Sequence, residues 1–200
     1  MTARGDWIGY YDAQGERQPR DLLLRAIASF EREGRTGTAV DLGCGTGADT
    51  AELIARGWDV TAIDGQEEAI RRLREEVDPR TVSRLRTVVS EMEEATFPPA
   101  DLVFASYSLP FCRPDAFPTL WERLRSCLRP GGRFAGELFG DRDSWSSDPG
   151  MTFHDVAAAR VLFDGLDIEV FEEEEEDAEG WDELKHWHVL HTIARKPDRR

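Results

Sequence analysis

A short apolar segment that runs into a glycine-rich turn constrains this chain more than any other feature. The segment covers residues 38–42, and Gly43, Gly45 and Gly47 follow within five positions. A short, mainly apolar segment that ends at a glycine turn predicts a buried strand. A helix is predicted next, over residues 48–56. A strand, a glycine turn and a helix in this order predict a backbone that a ligand can approach closely. The free N–H groups at the start of the helix would point towards that ligand.

Turns of this kind bind either dinucleotides or S-adenosylmethionine (SAM), and the chain satisfies part of both patterns. Gly43, Gly45 and Ala48 fit the dinucleotide pattern G-x-G-x-x-G/A. Asp41 favours SAM, because a carboxylate two residues before the first glycine would repel a diphosphate and attract a sulfonium or an ammonium. SAM is therefore the expected cofactor, with S-adenosyl-L-homocysteine (SAH) as its product. A nicotinamide-dependent oxidoreductase is the alternative.

A second acidic residue stands where a nucleoside-binding sheet needs one. Asp64 ends the second predicted strand and lies 21 positions after Gly43. About 20 residues separate a glycine turn from the acid that accepts hydrogen bonds from ribose hydroxyls. Further strands are predicted over residues 85–89 and 101–105. Their carboxyl ends should meet at the same edge of the sheet, where ligands of open α/β sheets bind.

Two segments resemble hallmarks of the class I SAM-dependent methyltransferases. Residues 40–47 are similar to the first motif of that class, and residues 128–132 resemble its tight helix-to-strand turn. Residues 17–24 and 185–196 look similar to the small tellurite-resistance-like methyltransferases. The resemblance implies a Rossmann-like, doubly wound α/β fold. Its mostly parallel seven-stranded sheet has a C-terminal antiparallel strand and carries helices on both faces.

The resemblance also implies a set of cofactor contacts at the turn and at the strand ends. These are Asp41, Gly43, Cys44, Gly45, Asp64, Gly65, Glu91, Met92 and Ser106. Glu91 takes the place of an acid that binds the adenine amino group, although the class more often has aspartate there. Met92 takes the place of a residue whose backbone meets an adenine ring nitrogen. A solvated glutamate is the alternative interpretation of Glu91.

Candidates for the wall that contacts the methyl acceptor lie in the N-terminal arm and in the loops after the fourth and fifth predicted strands. They are Tyr11, Tyr107, Phe111, Cys112 and Asp141. A hydroxyl or amine acceptor would need a general base, whereas a thiolate would not. Tyr11, Tyr107, Asp141 and His154 are the candidates for that base, and no residue is singled out as catalytic.

One domain is expected over residues 1–200. Residues 1–18 form an arm that either packs on the surface or closes as a lid. Residues 38–139 form the SAM-binding core. Residues 140–200 supply loops on the acceptor side and a C-terminal strand pair.

Alternating apolar residues predict that strand pair over residues 166–171 and 186–193. The acidic run over residues 172–176 is expected to form a solvated connection between the two strands. His186 and His188 share a strand face, but the sequence indicates no third ligand, so no metal is predicted.

Composition narrows the range of partners. The 40 acidic residues against 25 basic ones give a net charge of −15, so no nucleic-acid substrate is expected. A small-molecule acceptor fits better, and the chain is expected to be a monomer or a homodimer. No apolar run reaches the ~20 residues of a membrane span, and the first residues do not resemble a signal peptide. A cytoplasmic protein without membrane contact is expected. The functional alternative is a SAM-binding protein without turnover.

Overall fold

The strands of this computed structural model, which describes residues 7–15, 17–180 and 184–198, form one sheet. They are β1 (Thr38–Leu42), β2 (Asp59–Asp64), β3 (Leu85–Val89), β4 (Ala100–Ala105), β5 (Leu128–Gly140), β6 (Phe153–His154), β7 (Asp167–Glu179) and β8 (Leu184–Arg195). The order is β3-β2-β1-β4-β5-β8-β7, and β6 pairs with β5 outside this path. The main path holds the seven strands that were predicted, and β6 adds a short eighth.

Helices lie on both faces of the sheet. They are α1 (Trp7–Gln14), α2 (Asp21–Arg32), α3 (Ala48–Ala55), α4 (Glu67–Glu76), α5 (Phe117–Cys127) and α6 (Val156–Leu162). Side chains of β1 alternate between two apolar clusters. Val40 and Leu42 join the cluster beneath α5 and α6, and Ala39 joins the cluster beneath α2, α3 and α4. None of the helices in the described part of the chain combines the length and apolar character needed to cross a bilayer.

The chain changes direction across the sheet between β1 and β4. Strand β1 pairs in parallel with β2 on one side and with β4 on the other. Connections leave this point in opposite directions, so a crevice opens beyond the carboxyl ends of the strands. The sequence placed its candidate cofactor residues at this edge.

The acidic run is wrongly predicted as a connection. Residues 172–176 lie inside β7, where Glu174 pairs with Val189 and Glu176 pairs with Trp187 of β8. On one face of β7, Arg142 bonds to Glu173 and Glu175. Basic partners offset the repulsion between successive glutamates, so the run can remain extended.

Candidate active site

A large cavity opens at the carboxyl ends of the parallel strands. Its volume is about 2030 Å³, and its walls come from α1, the glycine turn, the loops after β2, β3, β4 and β5, and the facing ends of β7 and β8. Pockets for one small ligand usually measure ~300–1,000 Å³. The cavity therefore has room for two ligands side by side.

The three glycines of the turn serve different purposes. A Cβ on Gly43 would lie 2.4 Å from the Ser108 Cβ, and one on Gly47 would lie 2.2 Å from the Leu73 Cδ1. Both residues also have positive φ angles, so packing and backbone conformation require glycine there. A Cβ on Gly45 would meet only the Tyr11 ring, at 3.6 Å. Packing therefore requires glycine at Gly43 and Gly47, and Gly43 lines the cavity together with Gly45.

Asp64 presents a carboxylate to the cavity, and two backbone N–H groups fix its position by hydrogen bonds. Its Oδ2 accepts a hydrogen bond from the Gly45 N–H at 2.9 Å, and its Oδ1 accepts one from the Gln66 N–H at 2.8 Å. The Tyr11 hydroxyl lies 3.4 Å from the same Oδ1. Burial raises the pKa of Asp64 above its ordinary value. Additional hydroxyl donors would therefore stabilise its ionised form.

All but one of the other predicted cofactor residues also line the cavity. The Glu91 carboxylate packs against Gly65, where a Cβ would come within 3.0 Å of its Oε1. Met92 follows it and contacts the apolar core. Cys44 also lines the cavity, and burial raises the pKa of its thiol well above the ordinary value. The Ser106 Oγ is buried without a hydrogen-bond partner among the described residues.

Asp41 lies beneath the glycine turn and does not form part of the cavity wall. Only 2% of the residue is exposed, and its Oδ2 accepts a hydrogen bond from the Thr50 hydroxyl at 2.5 Å. Burial raises the pKa of Asp41 to about 7. Direct contact between this carboxylate and a cationic ligand was the reason for choosing SAM over a dinucleotide. The structure does not place Asp41 for such contact.

The segment before α2 supplies two arginines that the sequence did not identify as a pair. Arg17 forms an ion pair with the buried Asp49 of α3. The backbone N–H of Arg20 donates a hydrogen bond to the other carboxylate oxygen of Asp49 at 2.8 Å. Both arginines line the cavity. The Arg20 Nε is buried and lacks a hydrogen-bond partner in the described part of the chain.

Five aromatic side chains, here called the aromatic wall, line the end of the cavity away from Asp64. They are Tyr107, Phe111, Phe139, Trp145 and Trp187. Neighbouring ring centres lie about 6 Å apart: Phe139 and Trp187 at 5.7 Å, and Trp145 and Trp187 at 5.9 Å. Trp7 of α1 packs edge-on against Phe111. Phe139, Trp145 and Trp187 were not among the sequence candidates.

The remaining acceptor candidates divide into two groups. Tyr11, Tyr107 and Phe111 line the cavity. Cys112 is fully buried, and its Sγ faces the Arg113 carbonyl at 3.5 Å, so its predicted place on the wall is wrong. Asp141 is exposed to solvent and does not line the cavity, so its predicted place on the wall is also wrong.

None of the four candidate bases stands out in the structure. Asp141 and His154 do not line the cavity, and the His154 ring packs against Phe117 at 4.9 Å. Burial lowers the pKa of His154. Burial also raises the pKa values of Tyr11 and Tyr107 above the ordinary tyrosine value, so neither phenol gives up its proton easily.

A buried ion pair supports the aromatic wall from behind. Lys185 binds the Asp143 carboxylate, and both side chains are almost completely buried. The Lys185 Nζ lies 3.7 Å from the ring centre of Trp187 and 4.4 Å from that of Trp145. Asp143 also accepts a hydrogen bond from the Trp145 N–H at 2.9 Å. The pair therefore holds both tryptophans from the side opposite the cavity.

Successive glutamates of β7 point to opposite faces, as in any strand. Glu174 and Glu176 line the cavity. Glu173, Glu175 and His188 gather on the other face, where their ligand atoms lie within 4.8 Å of one another. The Arg142 guanidinium contacts all three, so it already supplies positive charge to this potential metal-binding cluster.

A chain of polar contacts leads from the cavity into the sheet. The Glu174 Oε2 lies 3.0 Å from the His191 Nε2, and the His191 Nδ1 lies 3.6 Å from the buried Glu137 Oε1. The other Glu137 oxygen accepts a hydrogen bond from the Tyr107 N–H at 3.2 Å. Tyr107 has a φ of +51°, which a non-glycine residue seldom adopts. The contact to Glu137 helps to fix this strained residue.

Comparison with known sequences agrees with the fold. Residues 39–132 match the family described as "Methyltransferase domain". The chain is 33% identical over 111 residues to a magnesium-protoporphyrin O-methyltransferase of Rhodobacter capsulatus, covering 54% of this chain and 50% of the relative. It is 32% identical over 155 residues to a trans-aconitate 2-methyltransferase of Azoarcus sp. strain BH72, covering 73% and 56%. The chain thus spans about half the length of these curated relatives.

Solved structures share the same architecture. The magnesium protoporphyrin IX methyltransferase ChlM of Synechocystis PCC 6803, solved with bound SAM, superposes with a TM-score of 0.68 at 14% identity, over 96% of this chain and 92% of its own. TehB of Haemophilus influenzae gives 0.68 at 19% identity, over 80% and 57%. Identities this low show a shared fold.

The chain carries a methyltransferase domain over residues 39–132, and its strand order and glycine turn have the Rossmann-like fold of the class I SAM-dependent methyltransferases. The predicted class and fold are thereby confirmed.

Proposed function

We propose that this chain transfers a methyl group from SAM to a small-molecule acceptor. One cavity of about 2030 Å³ carries the proposal, because it joins two chemically different ends. The end at Asp64 offers carboxylates and backbone groups, and the other end is the aromatic wall. Two ligands bound side by side in one cavity can react directly with each other.

The residues at the Asp64 end fit the functional groups of SAM. Asp64 would accept hydrogen bonds from the ribose hydroxyls, and Glu91 would accept one from the adenine amino group. The buried Arg20 Nε, which has no partner among the described residues, would donate to the carboxylate of the methionine portion. The buried Ser106 Oγ also has an unused hydrogen-bonding site facing this cavity. Two buried polar atoms without partners argue for a polar ligand.

SAM, when bound, supplies a methyl group that its positively charged sulfur has already activated for displacement. The chain's own residues mainly bind and orient the two ligands. Asp64 and Arg20 would fix the cofactor at its two ends. The aromatic wall would bind the acceptor and exclude water from the reacting atoms.

Titration calorimetry with SAM, SAH and NADH tests cofactor choice. SAM and SAH should bind, and NADH should not. Asp64→Asn should weaken SAH binding by about 1–3 kcal/mol, because the ribose loses a charged acceptor. Asp59→Asn is the matched control, since Asp59 lies at the far end of the same strand and pairs with Arg84. Binding of NADH without binding of SAM or SAH would reject the proposal.

Turnover separates an enzyme from a protein that only binds SAM. Methyl-labelled SAM is incubated with the protein and fractionated small-molecule extracts, and labelled products are counted. The proposal expects a labelled product whose amount depends on Asp64. SAH binding without labelled product in any fraction would instead favour the binding protein.

A further inference from the structure

We propose that the methyl acceptor is an amine carried by an aromatic or heteroaromatic ring system and that anionic acceptors are disfavoured. The assignment rests on the proposed function and deepens it. Its basis is the charge of the cavity and the composition of its far end.

Carboxylates dominate the cavity lining. Eight acidic side chains line it against three arginines. The acids are Asp64, Glu91, Glu93, Glu94, Asp148, Glu174, Glu176 and Glu179. The arginines are largely committed, because Arg17 pairs with Asp49, Arg113 pairs with Asp115 at 3.2 Å, and the Arg20 guanidinium lies over the Tyr107 ring at 4.8 Å. An anionic acceptor would therefore enter a cavity of its own charge.

Two of these acids lie at the acceptor end. Glu174 and Glu176 are the register partners of Val189 and Trp187, and all four residues line the cavity. Cross-strand partners share a face of the sheet and lie close together. Carboxylates therefore stand directly beside the aromatic wall.

The aromatic wall favours a flat ligand that tolerates or carries positive charge. Aromatic faces stack on planar rings and attract cations. Lys185 already lies against Trp187 on the buried side, which shows that these rings accept an ammonium group. Asp143 neutralises that lysine, so the wall does not repel a cation on its cavity side.

Charge balance during transfer agrees with an amine. An amine that binds as its ammonium first passes one proton to water; the resulting neutral nitrogen attacks the methyl carbon, a C–N bond forms, and the C–S bond breaks with its electron pair passing to sulfur. Positive charge moves from sulfur to nitrogen and never leaves the acidic cavity. The new ammonium then releases its proton. With a carboxylate acceptor the two charges would cancel, and the surrounding acids would disfavour the bound anion.

Glu174 is placed to receive that proton. Its carboxylate lines the cavity, and its Oε2 bonds to the His191 Nε2 at 3.0 Å. His191 acts through Glu174 and is a positioning residue. Glu137 holds the opposite side of the His191 ring at 3.6 Å.

The test uses three compounds with one bicyclic aromatic framework: naphthylmethylamine, naphthylmethanol and naphthoate. Methyl transfer from labelled SAM is measured for each, and binding of each to SAH-loaded protein is measured by calorimetry. The amine should exceed the carboxylate at least tenfold in both assays. Cyclohexylmethylamine, which has no aromatic ring, should bind at least tenfold more weakly than naphthylmethylamine.

Variants on adjacent β7 positions provide matched controls. Glu174→Gln and Glu176→Gln should each lower kcat/KM for the aromatic amine about tenfold and reduce discrimination against the carboxylate. Glu173→Gln and Glu175→Gln make the same charge change on the opposite face and should leave discrimination unchanged. Glu174→Gln should also shift the pH profile of kcat, and Glu174→Asp should restore part of the activity.

The outcomes separate the two proposals. Equal or better binding of naphthoate overturns the acceptor assignment, as does SAH-loaded protein that neither binds nor methylates the amine. In both cases retained SAH binding leaves the proposed function standing. Wild-type protein that binds neither SAM nor SAH overturns the proposed function itself.

Discussion

The Tyr11 hydroxyl lies 3.4 Å from the Asp64 Oδ1, the carboxylate that we assign to the ribose hydroxyls. Tyr11 belongs to α1, is 6% exposed, and is the nearest side chain to the open side of Gly45. Burial holds its pKa above the ordinary tyrosine value, so the hydroxyl remains a donor at neutral pH. One carboxylate thus faces both the arm and the expected nucleoside.

Tyr11→Phe should tighten SAH binding. The substitution removes the donor that would compete with the ribose, and one neutral-to-charged hydrogen bond is worth about 1–2 kcal/mol. Calorimetry should show a dissociation constant about five- to thirtyfold lower. The gain should vanish in an Asp64→Asn background, which lacks the shared carboxylate. Weaker binding in the single variant would mean that Tyr11 contacts the nucleoside directly.

Breaking the Lys185–Asp143 pair should destabilise the fold strongly. Lys185→Met leaves a buried carboxylate without its cation, which typically costs about 3–5 kcal/mol. Urea unfolding followed by tryptophan fluorescence measures the loss. Replacing both residues, as Lys185→Met with Asp143→Leu, should cost less than Lys185→Met alone. A double variant less stable than both single variants would contradict this account.

The free energy of unfolding should fall as pH rises from about 4 to about 7 through Asp41. Burial raises the folded-state pKa of this residue to about 7, against ~3.9 in an unfolded chain. The folded protein therefore keeps a proton that the unfolded chain releases, and this stabilisation is full below the unfolded pKa. About three pKa units correspond to about 4 kcal/mol.

Asp41→Asn is the direct check, because the amide does not titrate. Urea unfolding is compared at several pH values between 4 and 8. The variant should lose the downward slope and keep its bond to Thr50. Equal slopes in the two proteins would show that Asp41 is already ionised in the fold at acidic pH.

Alanine substitutions should separate the packing glycines from the one that faces the cavity. Gly43→Ala and Gly47→Ala force overlaps at 2.4 and 2.2 Å, so each should cost more than about 2 kcal/mol of unfolding free energy. Among the described residues, a Cβ at Gly45 meets only the Tyr11 ring, at an ordinary contact distance of 3.6 Å, so Gly45→Ala should cost about 1–2 kcal/mol for its positive φ alone. Thermal unfolding ranks the three. A larger loss at Gly45 than at Gly47 would be the contrary result.

Local patterns predicted the central strands well. The bounds of β1 and β3 match the predicted residues 38–42 and 85–89. Each strand is a short segment rich in apolar and β-branched residues, so its own composition is sufficient. Local patterns did not predict the surroundings of the Asp41 side chain. Strand alternation puts it on the same face as Ala39, towards the helix that carries Thr50. Spacing from the glycines alone suggested a ligand contact.

The far end of the cavity depends on pairing between distant segments. Trp145 and Trp187 meet because β8 returns beside β5 and because Lys185 contacts both rings. No local motif links positions 42 residues apart. The acidic run of β7 was missed for a similar reason, since its stability depends on Arg142 and on cross-strand partners.

The alternation along β7 also has a consequence for how this chain can vary. A one-residue insertion or deletion in β7 before Glu173 would exchange the faces on which the two sets of carboxylates lie. Glu173 and Glu175, the partners of Arg142, would then point into the cavity, and Glu174 would point away from it. Side chains at alternate positions can therefore diversify independently, while the length of the strand is held constant. Related chains that differ in acceptor should differ at alternate positions here and show no gaps.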